Sequence, residues 1–283
     1  TIIRFLYNLE INDELIKKII NDYTIEAGVR DIKRKIELIL LKLNKLNLTG
    51  NIDQYLNDKK DSVILTQTLV DELIDSNNKI ERKKINDISL VGIVNGLYAT
   101  NVGTGGITTI QIESNFSIGS NFILKLTGSQ GDVMKESIQC AFTCAIQYIC
   151  KSNKYSLKQI NNIIKTKYPN GFHIHTPAGG TPKDGPSAGC AFAIAFISIL
   201  EQTPFNNTVA MTGEIDINNN VTKIGGLEYK LVGAKHAGIK TVLVPYENKL
   251  DIEEIIKDYI DLFDDNFKYI YINNLDDAVK NSF

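Results

Sequence analysis

Tryptophan is absent from the 283 residues, and methionine (2), histidine (3), cysteine (4) and proline (6) are scarce. Each shortage excludes something. Cys140, Cys144, Cys150 and Cys190 lie in apolar, helix-like contexts with no C-x-x-C pair, so neither a disulfide scaffold nor a zinc ribbon is expected. They read as reduced core thiols of a reducing intracellular compartment, the cytoplasm or the mitochondrial matrix. Charge of one sign is also lacking: 31 Lys and Arg stand against 33 Asp and Glu, for a formal net charge of −2, without a block of like charges. No nucleic acid or anionic membrane partner is therefore expected. No apolar run reaches the roughly 20 residues that span a bilayer, and Thr1 to Tyr7 do not resemble a signal peptide. The sequence begins in the middle of a motif and reads as a fragment of a longer chain. There is no Gly-Lys dipeptide, hence no Walker A loop, so these residues alone are not expected to bind ATP.

What is present has room for two domains. Asn12 to Tyr23 and Val29 to Leu46 carry apolar residues at helical spacing (Ile32, Ile36, Ile39, Leu40 and Leu43 in the second), and Asn12 is a credible cap. A short strand at Val63 to Leu65 and a helix from Thr66 to Ile74 complete a small helical unit. The charged, aperiodic stretch Asp75 to Ile85 reads as a linker. This predicts one domain over 1–82 and a second over 83–283. The second opens with strands at 90–99, 107–113 and 121–126, with Gly103 to Gly106 as the turn between the first two. A long helix from Gly131 to Cys150 follows, burying Val133, Ile138, Ala141, Phe142, Ala145 and Ile149. Strands at 171–176, 208–217, 241–244 and 268–272 then alternate with helices at 156–166, 187–201, 227–237, near 253 and 275–281. The predicted class is α+β: a helical subdomain followed by a mixed-sheet α/β domain.

Within that second domain, Thr176-Pro-Ala-Gly-Gly-Thr-Pro-Lys-Asp-Gly-Pro-Ser-Ala-Gly189 is the most informative stretch. Its glycines and prolines fix a loop, and the residues from Ala188 to Leu200 are apolar all round, as in a buried helix. With Pro186 in the first turn, Ser187 falls at a helix N-terminus, where free amides and the positive dipole end can hold an oxyanion. Asp184 reads as a turn aspartate that shapes the loop and limits access. A second element, Gly225-Gly-Leu-Glu-Tyr-Lys230, opens a helix of small and apolar residues 43 residues after Ser187. Together they suggest a Ser–Lys dyad, in which burial disfavours the ammonium and lets the amine become neutral, as a base must be.

At these residues the chain resembles the Lon family of ATP-dependent AAA+ serine peptidases, in its A-type form. Pro182-Lys-Asp-Gly-Pro-Ser-Ala-Gly189 looks like that family's nucleophile signature and Gly225-Gly-Leu-x-x-Lys230 like its lysine signature. Phe172-His-Ile-His-Thr-Pro177 and Ala210-Met-Thr-Gly-Glu-Ile215 add two further motifs in the same order. The resemblance implies a proteolytic domain with Ser187 as nucleophile and Lys230 as base, Thr212 orienting the lysine, and His173 and His175 near the site without a metal. Gly185 and Pro186 would shape the nucleophile loop. Thr24-Ile-Glu-Ala-Gly-Val-Arg30 resembles part of the small helical subdomain of the ATPase module, and Arg30 its nucleotide-sensing arginine. The family further implies ATP and magnesium in the full-length protein, a homo-hexameric ring, and unfolded polypeptides as substrates. Ala178 and Gly180 depart from the family pattern, where Glu and Ala are usual.

Other readings of the same residues compete. Gly185-Pro-Ser-Ala-Gly189 also satisfies the G-x-S-x-G elbow of α/β-hydrolases, but that elbow needs a strand running directly into the serine and an acid followed by a histidine, and only His236 lies downstream. His173 and His175 share a strand face, yet lack a third metal ligand at plausible spacing. A non-catalytic ring scaffold would not need both Ser187 and Lys230. The dyad predicts that Lys230→Arg, which keeps a cation that cannot serve as base, is as inactive toward a peptide as Lys230→Ala, while His236→Ala keeps most activity. Loss of activity in His236→Ala alone would instead establish the hydrolase triad.

Overall fold

The computed structural model describes residues 7–24, 29–57, 61–74, 79–80, 83–101, 103–116, 121–152, 154–177 and 184–283. Ala178, Gly180, Pro182 and Lys183, and the centre of the Thr24 to Arg30 stretch, lie outside them. The chain divides into two compact units, Thr1–Arg82 with Asn101–Thr104, and the remainder.

In the first unit, β1 (Asn8–Glu10) pairs in parallel with β2 (Ser62–Ile64), and three helices pack together: α1 (Asp13–Tyr23), α2 (Arg30–Leu48) and α3 (Gln67–Ile74). Asn12 caps α1, its side chain accepting the Leu15 amide at 2.8 Å. Leu15, Ile19 and Tyr23, one face at a spacing of four, meet Ile39 and Leu43 of α2 and Leu69, Val70 and Leu73 of α3. Asp71 fastens the unit's polar side, accepting from Tyr23 Oη at 2.8 Å and Lys79 Nζ at 2.7 Å. Strand β1 was not expected: three residues with two exposed have no pattern of their own, and only pairing with β2 makes them a strand.

The second unit is built on a seven-stranded mixed sheet in the order β11-β10-β7-β3-β4-β6-β5. Its strands are β3 (Ile93–Ala99), β4 (Gly105–Ser114), β5 (Ile123–Thr127), β6 (Gly171–His175), β7 (Val209–Met211), β10 (Thr241–Pro245) and β11 (Lys268–Ile272). Only β3 with β4 and β4 with β6 are antiparallel. Helices α4 (Asp132–Lys151), α5 (Leu157–Lys167), α6 (Gly189–Glu201) and α9 (Leu275–Lys280) contribute to one apolar core. A second core gathers around α7 (Leu227–Ala237) and α8 (Lys249–Asp258). Every residue of α6 from Gly189 to Leu200 is buried, as its all-apolar sequence demands.

Four expectations need correction. The stretch 208–217 is two strands: after β7 the chain leaves the large sheet at Thr212 and Gly213, and β8 (Glu214–Ile215) pairs with β9 (Val221–Thr222) in a separate hairpin. A side chain at Gly213 would lie 2.4 Å from Val221 Cγ1, which is why the break falls at a glycine. The helix after the Ser187 loop begins at Gly189, leaving Pro186 and Ser187 ahead of its first turn. Val133 is exposed, because α4 presents Met134, Ile138, Ala141 and Ala145 to the core and Val133 falls off that stripe. Gly105 and Gly106 belong to β4 itself, the turn being made before them.

Gly171 opens β6 at φ +86°, where a side chain would stand 2.0 Å from the Ile123 carbonyl of the neighbouring strand. Gly171→Ala should therefore cost on the order of 2–4 kcal/mol, strain and displaced pairing together. Urea denaturation of the two proteins checks it, and an unchanged midpoint would contradict the close approach.

Candidate functional site

The site forms where three segments of the second unit meet: the loop before α6, the break after β7 and the first turns of α7. The loop is fixed through the two carbonyls that flank its serine. Pro186 O accepts from Gly189 N at 2.9 Å and Ser137 Oγ at 3.3 Å. Ser187 O accepts from Gly213 N at 2.7 Å and Thr212 Oγ1 at 3.1 Å. The first amides of α6 are thus engaged, Gly189 N to Pro186 and Cys190 N to Gly213 O. The Ser187 and Ala188 amides have no acceptor among the described residues. Unlike the first amides of α6, they are not spent on a backbone carbonyl.

Lys230 Nζ lies 3.0 Å from Ser187 Oγ and 3.2 Å from Thr212 Oγ1. The lysine is 3% exposed, and among the described residues no carboxylate pairs with it. Burial alone pushes its ammonium down from 10.5 to about 8. The Thr212 hydroxyl has one proton. Donated to Ser187 O, it leaves Thr212 able only to accept from the amine, so the lone pair of neutral Lys230 stays available to Ser187.

The position of the amine is set by backbone packing. α7 starts after Gly226, at φ +66°, and lies directly on β4. A side chain at Gly105 would meet the Tyr229 carbonyl at 2.0 Å and the Lys230 amide at 2.9 Å, and one at Gly233 would meet Gly105 and Gly106 at 2.3 Å. Helix and strand therefore touch through glycine on both sides. Neither glycine stood out as a site residue in the sequence. The signal that could have found them is the Gly-Gly pair at the head of a strand facing a helix that also carries a glycine.

Asp184 is tied to the head of α4, where its Oδ1 accepts from Met134 N and from Gly185 N, each at 3.0 Å. It acts as a cap supplied from another segment, since Gly131 has no side chain to do so. Gly185 takes φ +126°. His173 and His175 are neighbours along β6, bridged by one hydroxyl: Thr127 Oγ1 lies 2.9 Å from His173 Nε2 and 2.8 Å from His175 Nδ1. Burial, then Lys125 and His175, hold His173 below the ordinary imidazole value. Neither histidine bonds to Ser187 or Lys230. Among the described residues no group of three His, Cys, Asp or Glu could hold a metal. Arg30 is exposed at the start of α2, in the first unit. His236 is exposed on the last turn of α7. All four cysteines are free thiols. Burial pushes Cys144 and Cys190 up to about 12, so they are poor nucleophiles.

A hydroxyl beside an amine that is neutral at mildly alkaline pH, with two unengaged amides next to it, is the equipment of covalent acyl transfer, the chemistry of serine peptidases. Residues 63–283 match the Lon protease (S16) C-terminal proteolytic domain and residues 7–54 the Lon protease AAA+ ATPase lid domain. The chain belongs to the Lon protease family. It is 38% identical to a Lon protease homolog of Acanthamoeba polyphaga mimivirus, over 94% of this chain and 30% of that protein. It is also 38% identical to the Lon protease of Campylobacter jejuni, over 96% and 33%, and 36% identical to that of Rickettsia typhi, over 97% and 32%. The chain spans about a third of the length of these curated relatives. No helix among the described residues is long and apolar enough to cross a membrane.

Lowering a lysine from 10.5 to about 8 costs folding free energy at neutral pH. The folded state releases its proton first, so stability rises with pH across that window. Lys230→Met should therefore stabilise the chain at pH 7, by about 3 kcal/mol at most, and the advantage should shrink toward pH 10. Chemical denaturation of both proteins at the two pH values tests this, and a gain independent of pH would refute the assigned cause.

Proposed function

We propose that residues 83–283 are a serine endopeptidase working through a Ser187–Lys230 dyad, and that 1–82 belong to the small helical subdomain of an AAA+ module. The observation that carries the reading is the 3.0 Å approach of Ser187 Oγ to a buried lysine amine with no carboxylate partner among the described residues, within a domain of this family. Neutral Lys230 takes the hydroxyl proton as Oγ bonds to the peptide carbonyl carbon. The Ser187 and Ala188 amides hold the resulting oxyanion. The ammonium then protonates the leaving nitrogen as the C–N bond breaks, giving an acyl-enzyme and a free amine. Water, deprotonated by the same amine, attacks the ester and restores the serine. Thr212 keeps the lysine oriented, Asp184 anchors the loop with Gly185 and Pro186, and His173 and His175 line the approach.

In the whole protein this peptidase would serve a homo-hexameric ring that receives unfolded polypeptides from its own ATPase, with ATP and magnesium bound by the ATPase core and Arg30 sensing the nucleotide. The four thiols suit a reducing compartment. The isolated chain would then cleave short or unstructured peptides without ATP and leave folded proteins intact.

Peptide hydrolysis should rise with pH, with its midpoint near the Lys230 value of about 8 and a plateau above it. Ser187→Ala should abolish both hydrolysis and labelling by a serine-directed phosphonofluoridate, while leaving the fold intact. A fluorogenic peptide assay across pH, with mass mapping of the label, provides the check. Retained hydrolysis in Ser187→Ala would dismiss the assignment. A wild-type chain that is folded and inert would favour a scaffold.

A further inference from the structure

We propose that Ser137, on α4, is a positioning residue that sets the orientation of the Ser187 amide; the inference rests on the peptidase reading above. Ser137 is 8% exposed and its hydroxyl donates to the Pro186 carbonyl at 3.3 Å, across to the nucleophile loop. A serine inside a helix more often turns back on the carbonyl four residues earlier. Room for the crossing exists because residue 189 is glycine: a side chain there would lie 2.9 Å from Ser137 Oγ and 3.1 Å from Ile215 N.

The peptide unit joining Pro186 to Ser187 is trans and planar, so its carbonyl and its N–H project from opposite edges of one rigid plate. Holding the carbonyl fixes the N–H. That N–H has no acceptor among the described residues and adjoins the nucleophilic oxygen, as a donor to the tetrahedral oxyanion must. Gly189 N alone, also bound to Pro186 O, leaves the plate free to rock about that contact. Ser137 supplies a second, independent anchor. It belongs to a row on α4 that reads the backbone beside the site: Cys140 Sγ donates to Ile215 O at 3.3 Å and Cys144 Sγ to Asp216 O at 3.1 Å. Ser137 is the member of the row that reaches the residue before the nucleophile.

The test uses the 283-residue chain, a fluorogenic peptide, site counting with a phosphonofluoridate and a peptide boronate, to which Ser187 Oγ adds as a tetrahedral adduct while its proton passes to Lys230. In Ser137→Ala, kcat per titrated site should fall roughly ten-fold, with KM and the pH midpoint unchanged. Boronate affinity should weaken by the same factor, while a cleaved product peptide binds as before. Ser137→Cys, matched in size and carrying a weak donor like those at 140 and 144, should fall between wild type and Ser137→Ala, and keeps the test decisive if the alanine variant fails to fold. An unimpaired kcat per site, or a loss confined to fewer titratable sites or a higher KM, overturns the inference alone. A wild type that takes no label at Ser187 overturns the peptidase reading and this inference with it.

Discussion

The arrangement turns on one amine taken out of water. Lys230 has two hydroxyl oxygens as its bonded neighbours and no counter-charge among the described residues, so its neutral form is favoured by surroundings that cannot solvate a cation. Any carboxylate at hydrogen-bonding distance would restore the charge. The lack of a charged partner among the described residues is therefore what keeps the ammonium value low.

Burying that amine is destabilising, and the second unit has ample apolar packing to offset it. Phe192, Ile194, Phe196, Ile197, Ile199 and Leu200 of α6 are at most 5% exposed. Each such side chain contributes about 1.5–3 kcal/mol of burial, several times the lysine's penalty in sum. The helix whose start shapes the nucleophile loop is thus also a main source of stability, and the loop is held by rigid elements: α4 through Ser137 and Asp184, β7 and its exit through Thr212 and Gly213. The glycines where α7 meets β4 let the helix that carries Lys230 lie close against the strand. A functional pair held to hydrogen-bonding distance needs support of this kind on both partners.

Much of this was legible in the chain. Periodicity located the helices of both units, since burial of one face imposes its spacing on the sequence, and the all-apolar run after Ser187 announced a helix buried on every side. Cap chemistry placed the start of α1 at Asn12. The Ser187 and Lys230 motifs were visible because proline and glycine restrict the backbone locally, so their positions carry information without knowledge of distant partners. Patterns failed where pairing or packing decides: β1 exists only against β2, and 208–217 looks continuous although the backbone at Gly213 turns to bond Ser187 O and Cys190 N.

By itself the sequence determined the class of fold, the two motifs that hold Ser187 and Lys230 and the small, apolar setting of the lysine, because each is written in local composition and spacing. Only the tertiary structure decided the rest. It joined hydroxyl and amine across 43 residues of chain at 3.0 Å, engaged the helix amides elsewhere, and turned Asp184 into a cap for a distant helix. It also made Gly105 and Gly233 a seat for α7. These follow from contacts between segments far apart in sequence, and apart from the Gly105-Gly106 pair neither segment alone carries a trace of them.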